Sequence, residues 1–99
     1  MQLIDRVVQF RAEIQQIRRD LHAHPEIRFE EVRTSDVVAA KLAEWGIDVV
    51  RGLGGTGVVG TLKNGNSTRL IGLRADMDAL PITEANQVDY ASEIGRAHV

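Results

Sequence analysis

Leu70-Ile71-Gly72-Leu73-Arg74-Ala75-Asp76-Met77-Asp78-Ala79-Leu80-Pro81 joins an apolar run to a pair of carboxylates. The run is apolar without alternation, the pattern of a strand covered on both faces in an α/β sheet, and Pro81 ends it because proline cannot donate to a ladder. Asp76 and Asp78, two residues apart, would then share one face at the strand's carboxyl end. That edge is where open α/β sheets bind ligands, and two like charges held together call for a cation or a shared proton. A divalent metal is the simplest partner. The competing reading is structural: aspartates after a strand often cap a turn or accept backbone N–H bonds, and an Asp-x-Asp spacing alone does not separate the two.

Upstream of this stretch the spacing changes to that of helices. Leu3, Val7, Phe10, Ile14, Ile17 and Leu21 recur at steps of four and three, which predicts one amphipathic helix over residues 2–23. Pro25 biases His24 away from helical geometry, so this helix should stop near His22 or Ala23. A second helix is expected from Thr34 to Trp45, with Thr34 or Ser35 as N-cap. Val38, Leu42 and Trp45 share its apolar face, and Gly46 supplies the left-handed residue after its end. Trp45 is expected in the core. Beyond Gly46 the spacing becomes β-like. Ile47–Val50 reads as a strand and Arg51–Gly57 as a glycine-rich turn. Val58–Lys63 and Thr68–Arg74 read as strands flanking Asn64-Gly65-Asn66-Ser67, a hairpin signal. The expected fold class is α/β, in the order helix, helix, strand, strand, strand.

Composition narrows the function classes. The 99 residues make one domain or part of one, with 43% hydrophobic residues, 26% charged residues and a formal net charge of −2. There is no basic excess to attract nucleic acid, no apolar run near the ~18 residues of a membrane span, and no signal-peptide pattern at the start. The expectation is a cytoplasmic protein that binds neither nucleic acid nor membrane. With no cysteine, the chain has no disulfide and no thiolate metal site.

Three other motifs invite chemistry. His22-Ala23-His24-Pro25-Glu26 contains metal-ligating residue types, but the histidines are two apart at a helix end, whereas helical ligands sit at i and i+4. A structural role, closing the helix and anchoring the next loop, is the expected one. Gly52-Leu53-Gly54-Gly55-Thr56-Gly57 resembles a phosphate cradle, yet it precedes a strand and lacks a Gly-Lys-Ser/Thr ending, so a turn is expected. Glu30 and Glu31 stand ahead of the second helix, where negative charge complements its dipole.

Arg18-Arg19-Asp20-Leu21-His22-Ala23-His24-Pro25-Glu26, Thr34, Trp45-Gly46, Gly54-Gly55-Thr56-Gly57 and Leu73 through Pro81 together resemble the amino-terminal part of the M20 metallopeptidase family. The closest branch is the hippurate hydrolase and N-acyl amino acid amidohydrolase group, and the resemblance runs from about residue 15 to 92. It implies a catalytic domain of mixed sheet and helices holding two divalent metals (zinc, manganese, cobalt or nickel). It also implies hydrolysis of an N-acyl amino acid or related small amide by metal-activated water with a glutamate as general base. Dimerisation of the full-length protein through a later inserted domain is implied as well. Many branches carry His-x-Asp where this chain has Asp76-Met77-Asp78. Asp76 takes the histidine's place, as in the amidohydrolase branch, so no metal ligand is expected in this chain. Asp78 matches the supporting aspartate that orients a neighbouring group and is the one catalytic residue the resemblance carries over.

The branch's ligands come from a downstream Cys-Gly-His-Asp motif and later glutamate and histidine residues, none of which occurs here. Residues 1–92 are therefore expected to be the amino-terminal part of the catalytic domain, inactive alone and binding metal weakly at best. The ending Glu93-Ile94-Gly95-Arg96-Ala97-His98-Val99 is what GAG ATC GGA AGA GCA CAC GTC TGA encodes, the start of a widely used sequencing adapter. Residues 93–99 are accordingly expected not to be biological. Two alternatives stay open at this level: a free-standing small α/β binding or regulatory module, and a peptidase of the same family.

Overall fold

The structure, a computed structural model, describes residues 4–92. The expected adapter-derived residues 93–99 and the first three residues lie outside that range. Two compact units divide the chain, Met1–Pro25 with Pro81–Val99, and Glu26–Leu80.

In the first unit the expected single helix is two. Helix α1 spans Asp5–Gln9 and helix α2 spans Arg11–Ala23. The hinge residue Phe10 keeps right-handed helical angles (φ −88°, ψ −2°), and the backbone bonds Phe10 N–H to Arg6 and Ile14 N–H to Phe10 carry the coil across it. The apolar stripe survives in register, but Val7, Phe10 and Ile14 are exposed while Ile17 and Leu21 are half-buried. Helix α2 ends at Ala23, as the proline predicts: His24 leaves helical geometry at φ −121°, ψ 63°.

The second unit is a helix on a hairpin. Helix α3 spans Val32–Glu44, strand β1 Asp48–Leu53 and strand β2 Gly57–Thr61, and α3 packs on both strands. The strands pair antiparallel, from Asp48 opposite Thr61 to Leu53 opposite Gly57, with a bulge between Arg51 and Leu53. The glycine-rich stretch is a turn as expected, though a shorter one, because β1 runs on to Leu53.

Helix α3 starts two residues before the expected Thr34, and its N-cap position is Glu31, not Thr34 or Ser35. Its other end follows expectation. Gly46 adopts φ +77°, its N–H donates to Ala43, and the N–H of Ile47 donates to Leu42 at 2.9 Å, closing the Schellman motif. Leu42 and Ile47 then face Gly60 so closely that a Cβ there would sit 3.1 Å and 3.0 Å from their side chains. Ala39 is the buried apolar residue of α3, beside buried Thr34 and Ser35. Trp45 is half-exposed at the C-cap and does not enter the core expected for it.

The α/β class holds, with helices preceding strands, but the third strand and its hairpin do not form among the described residues. Residues 62–80 carry neither helix nor strand. Leu70, Ile71 and Leu73 are 94%, 91% and 96% exposed. A strand apolar on both faces needs a cover on both faces, and the two-stranded sheet of this unit offers none.

Candidate functional site

Asp76 and Asp78 sit in this irregular segment, both exposed, rather than at a strand's carboxyl end. Asp76 Oδ1 lies 3.1 Å from Arg74 Nη2, an ion pair in full contact with water that contributes well under ~1 kcal/mol. Within the segment the Ala79 N–H donates to the Glu26 carbonyl at 2.8 Å.

Glu26 has the most consequential local role. Its carboxylate accepts the N–H of Arg33 at 3.0 Å, the N–H of Thr34 at 2.6 Å and the Thr34 hydroxyl at 2.7 Å. Arg33 and Thr34 are the second and third residues of α3, whose amides have no partner within the helix. A carboxylate from outside the helix thus does what an N-cap side chain does, and meets the positive end of the helix dipole. Burial pushes the Glu26 carboxyl up. It is outweighed by the Thr34 hydroxyl, the two backbone N–H groups and the Arg33 guanidinium, which together hold the carboxyl below its usual range. The anchoring role expected for the His-Pro-Glu motif is therefore carried by its glutamate. His24 closes its own helix: Nδ1 donates to the Asp20 carbonyl at 2.9 Å.

Two further ties bind α3 to the hairpin. Glu31, buried, accepts the Thr56 hydroxyl on Oε2 at 2.7 Å, so the glycine-rich turn serves the helix rather than an anion. Arg51 donates from Nη2 to Ser35 Oγ at 3.1 Å and to Asp36 Oδ1 at 2.5 Å. In the other unit, His22 Nε2 lies 3.3 Å from both carboxylate oxygens of Glu84. Glu84 carries no sequence signal, since nothing in local spacing predicts its contact with His22 across 62 positions.

Among the described residues no three His, Cys, Asp or Glu side chains gather as a cation would require. His22 is engaged with Glu84, His24 with the Asp20 carbonyl and Glu26 with the start of α3, so this donor set does not fit a metal centre by itself.

Comparison with known proteins gives the context. The chain is 47% identical over 93 residues to a hippurate hydrolase of Campylobacter jejuni, a match covering 94% of this chain and 24% of that protein. It is 42% identical over 80 residues to thermostable carboxypeptidase 2 of Saccharolobus solfataricus, 80% of this chain and 20% of that protein. To an IAA-amino acid hydrolase of Arabidopsis thaliana it is 41% identical over 83 residues, 83% of this chain and 19% of that protein. The chain thus spans about a fifth to a quarter of the length of these relatives. No family model matches the chain, and no solved structure does.

Proposed function

We propose that the chain, which is similar along most of its length to these hydrolases, is the amino-terminal part of a metal-dependent amidohydrolase of the M20 type that hydrolyses the amide bond of an N-acyl amino acid. The observation that carries this reading is the 47% identity along 94% of the chain to a hippurate hydrolase about four times as long. The exposed apolar run Leu70–Leu73 supports it, because such a run is the signature of a strand whose covering elements are supplied by another part of a protein.

In this reading Asp78 is the supporting carboxylate of the parent's site, where it would orient a neighbouring group and tune its basicity. Asp76 stands where other branches carry a histidine and ligates nothing. The metal ligands and the general base are contributed by the rest of the parent, so the 99 residues alone are inactive. Residues 93–99 are, in the same reading, translated adapter, and the parent's own sequence departs from them after Ser92.

The deciding experiment is to read the gene past the codon for Ser92 and express the uninterrupted frame. A Cys-Gly-His-Asp motif soon downstream and hydrolysis of hippurate with manganese are expected. Asp78→Asn in that protein should lower kcat by about 100-fold or more while leaving the fold intact. Hydrolysis by the 99-residue chain itself, or codons for residues 93–99 that differ from the adapter, would overturn the corresponding part of the proposal.

A further inference from the structure

Residues 81–92 follow the last described contact of the Asp76–Asp78 segment and contain no helix or strand, so no backbone ladder fixes them. Beside one backbone bond, Ala91 N–H to the Val88 carbonyl at 3.1 Å, the stretch is tied through side chains, and several of these ties converge on Glu84. From α2, His22 Nε2 approaches both of its oxygens at 3.3 Å. From eight residues further on, the Ser92 N–H donates to Oε2, and Asn86 Nδ2 lies 3.5 Å from Oε1. One carboxylate therefore joins the helix to both ends of the 84–92 loop.

Tyr90 occupies the same place from within the loop. Its ring meets the His22 ring edge to face, with centroids 6.2 Å apart at 66°, and the Arg19 guanidinium lies 4.3 Å from its centroid. Arg19 and His22 are three apart on α2, neighbours on one helical face. A ring against a guanidinium and an imidazole edge is attracted through its quadrupole at such distances. These contacts place Tyr90 only if the loop is closed, and the loop is closed through Glu84.

We propose that residues 84–92 form a latch on α2, closed by the Glu84 carboxylate bridging His22 to the Ser92 N–H and by Tyr90 seated on Arg19 and His22, and released as one unit when Glu84 loses its charge. The groups facing Glu84 are His22, Asn86 and the Ser92 N–H. Those facing His22 are Glu84 and Tyr90, with Arg19 beyond the Tyr90 ring, while Asp20 on the same helix is engaged with His24. The Ser92 N–H foremost, against an upward push from burial, and then His22 and Asn86 hold the Glu84 carboxyl below its usual value. A group lowered in the folded state stabilises it above its unfolded pKa and ceases to as pH falls through the folded one. The latch is thus shut at neutral pH and opens in acid.

The test is nuclear magnetic resonance on the 99-residue chain. Cross-peaks from the Tyr90 ring to Arg19 and His22, with a protected Ser92 amide, are expected at neutral pH and lost together in acid. Glu84→Ala should abolish the cross-peaks and speed Ser92 exchange roughly tenfold, while the Thr34 amide in the other unit keeps its protection and reports that the chain is still folded. Glu84→Gln, which keeps the shape and an acceptor, should remove the acid step. His22→Gln should loosen Tyr90 yet leave the Ser92 bond, which lies within the loop. Tyr90 cross-peaks that persist in Glu84→Ala, that are absent from the unsubstituted chain, or that vanish in acid in Glu84→Gln as before, would overturn the latch.

Discussion

Residues 26–61 and residues 62–80 lie in the same compact unit and have opposite fates. The first stretch satisfies itself. Helix α3 receives its amino-terminal cap from Glu26 and closes its carboxyl end on Gly46, and β1 finds β2 across a short turn. The second stretch contains the apolar run Leu70, Ile71 and Leu73 and forms no element. The difference teaches that propensity chooses among conformations only where the partners are at hand. A cap, a Schellman turn and a hairpin each need one or two residues within reach, whereas a strand apolar on both faces needs whole neighbouring elements.

The sharpest way to break the self-sufficient half is at Glu26. Glu26→Ala leaves two backbone N–H groups at the start of α3 and a buried hydroxyl without their acceptor. A loss of about 1–2 kcal/mol is expected, the upper range for a lost cap. Denaturant unfolding followed by circular dichroism measures it, and amide exchange at Arg33 and Thr34 locates it. Unchanged protection at Thr34 would mean that the helix caps itself.

Gly46→Ala attacks the other end of the same helix. A Cβ meets nothing within 4 Å there, so the cost is conformational alone: an alanine held at φ +77°. About 1 kcal/mol is expected in the same unfolding experiment. A larger loss would show that the Leu42 and Ile47 contacts at Gly60 depend on this turn.

Which features were legible in the sequence follows the same division. Gly46, the stop before Pro25 and the glycine-rich turn between two strands are written locally, and the structure agrees with each; the pairing of those strands with each other is not, the hairpin being expected at Asn64–Ser67. The start of α3 was misplaced because its cap comes from a glutamate eight residues before Thr34, on a connection with no periodicity to read. The one-helix reading of residues 2–23 followed a stripe that does continue; the interruption at Phe10 leaves the spacing intact and so leaves no trace in it. Spacing assigns Trp45 to the core, whereas it stands half-exposed at the C-cap of the helix. In the candidate site, the Asp76 and Asp78 spacing was legible and its strand context was not realised, since the cover that would make Leu70–Leu73 a strand is not among the described residues. Glu84 is invisible for the opposite reason, because its tie to His22 spans 62 positions and leaves no local pattern.

Acid gives a gentler perturbation of the Glu26 cap. The folded carboxyl lies below its usual range, so its contribution to stability is complete above the ordinary glutamate range and falls away as pH drops through the folded value. A neutral carboxyl still accepts hydrogen bonds, so the loss should be smaller than in Glu26→Ala. The Thr34 amide resonance should titrate with an inflection below the ordinary glutamate pKa, and Glu26→Gln should abolish that inflection. An inflection above the ordinary value would mean that burial outweighs the donors at Glu26.

The smallest effect is expected where sequence alone promises the largest. Ile71→Ser removes an apolar side chain from what reads as the centre of a buried strand, a change that costs about 2–5 kcal/mol in a packed core. With Ile71 91% exposed and no ladder around it, the change should alter the unfolding free energy of this chain by less than about 0.5 kcal/mol. Made in the longer parent that we propose, the same substitution should cost the full core penalty, because there the run would be covered on both faces. The pair of measurements separates a sequence that encodes a strand from a chain able to build one. Equal, small losses in both proteins would remove the reading of Leu70–Leu73 as a covered strand, and a large loss in the 99-residue chain would mean that the run is already packed.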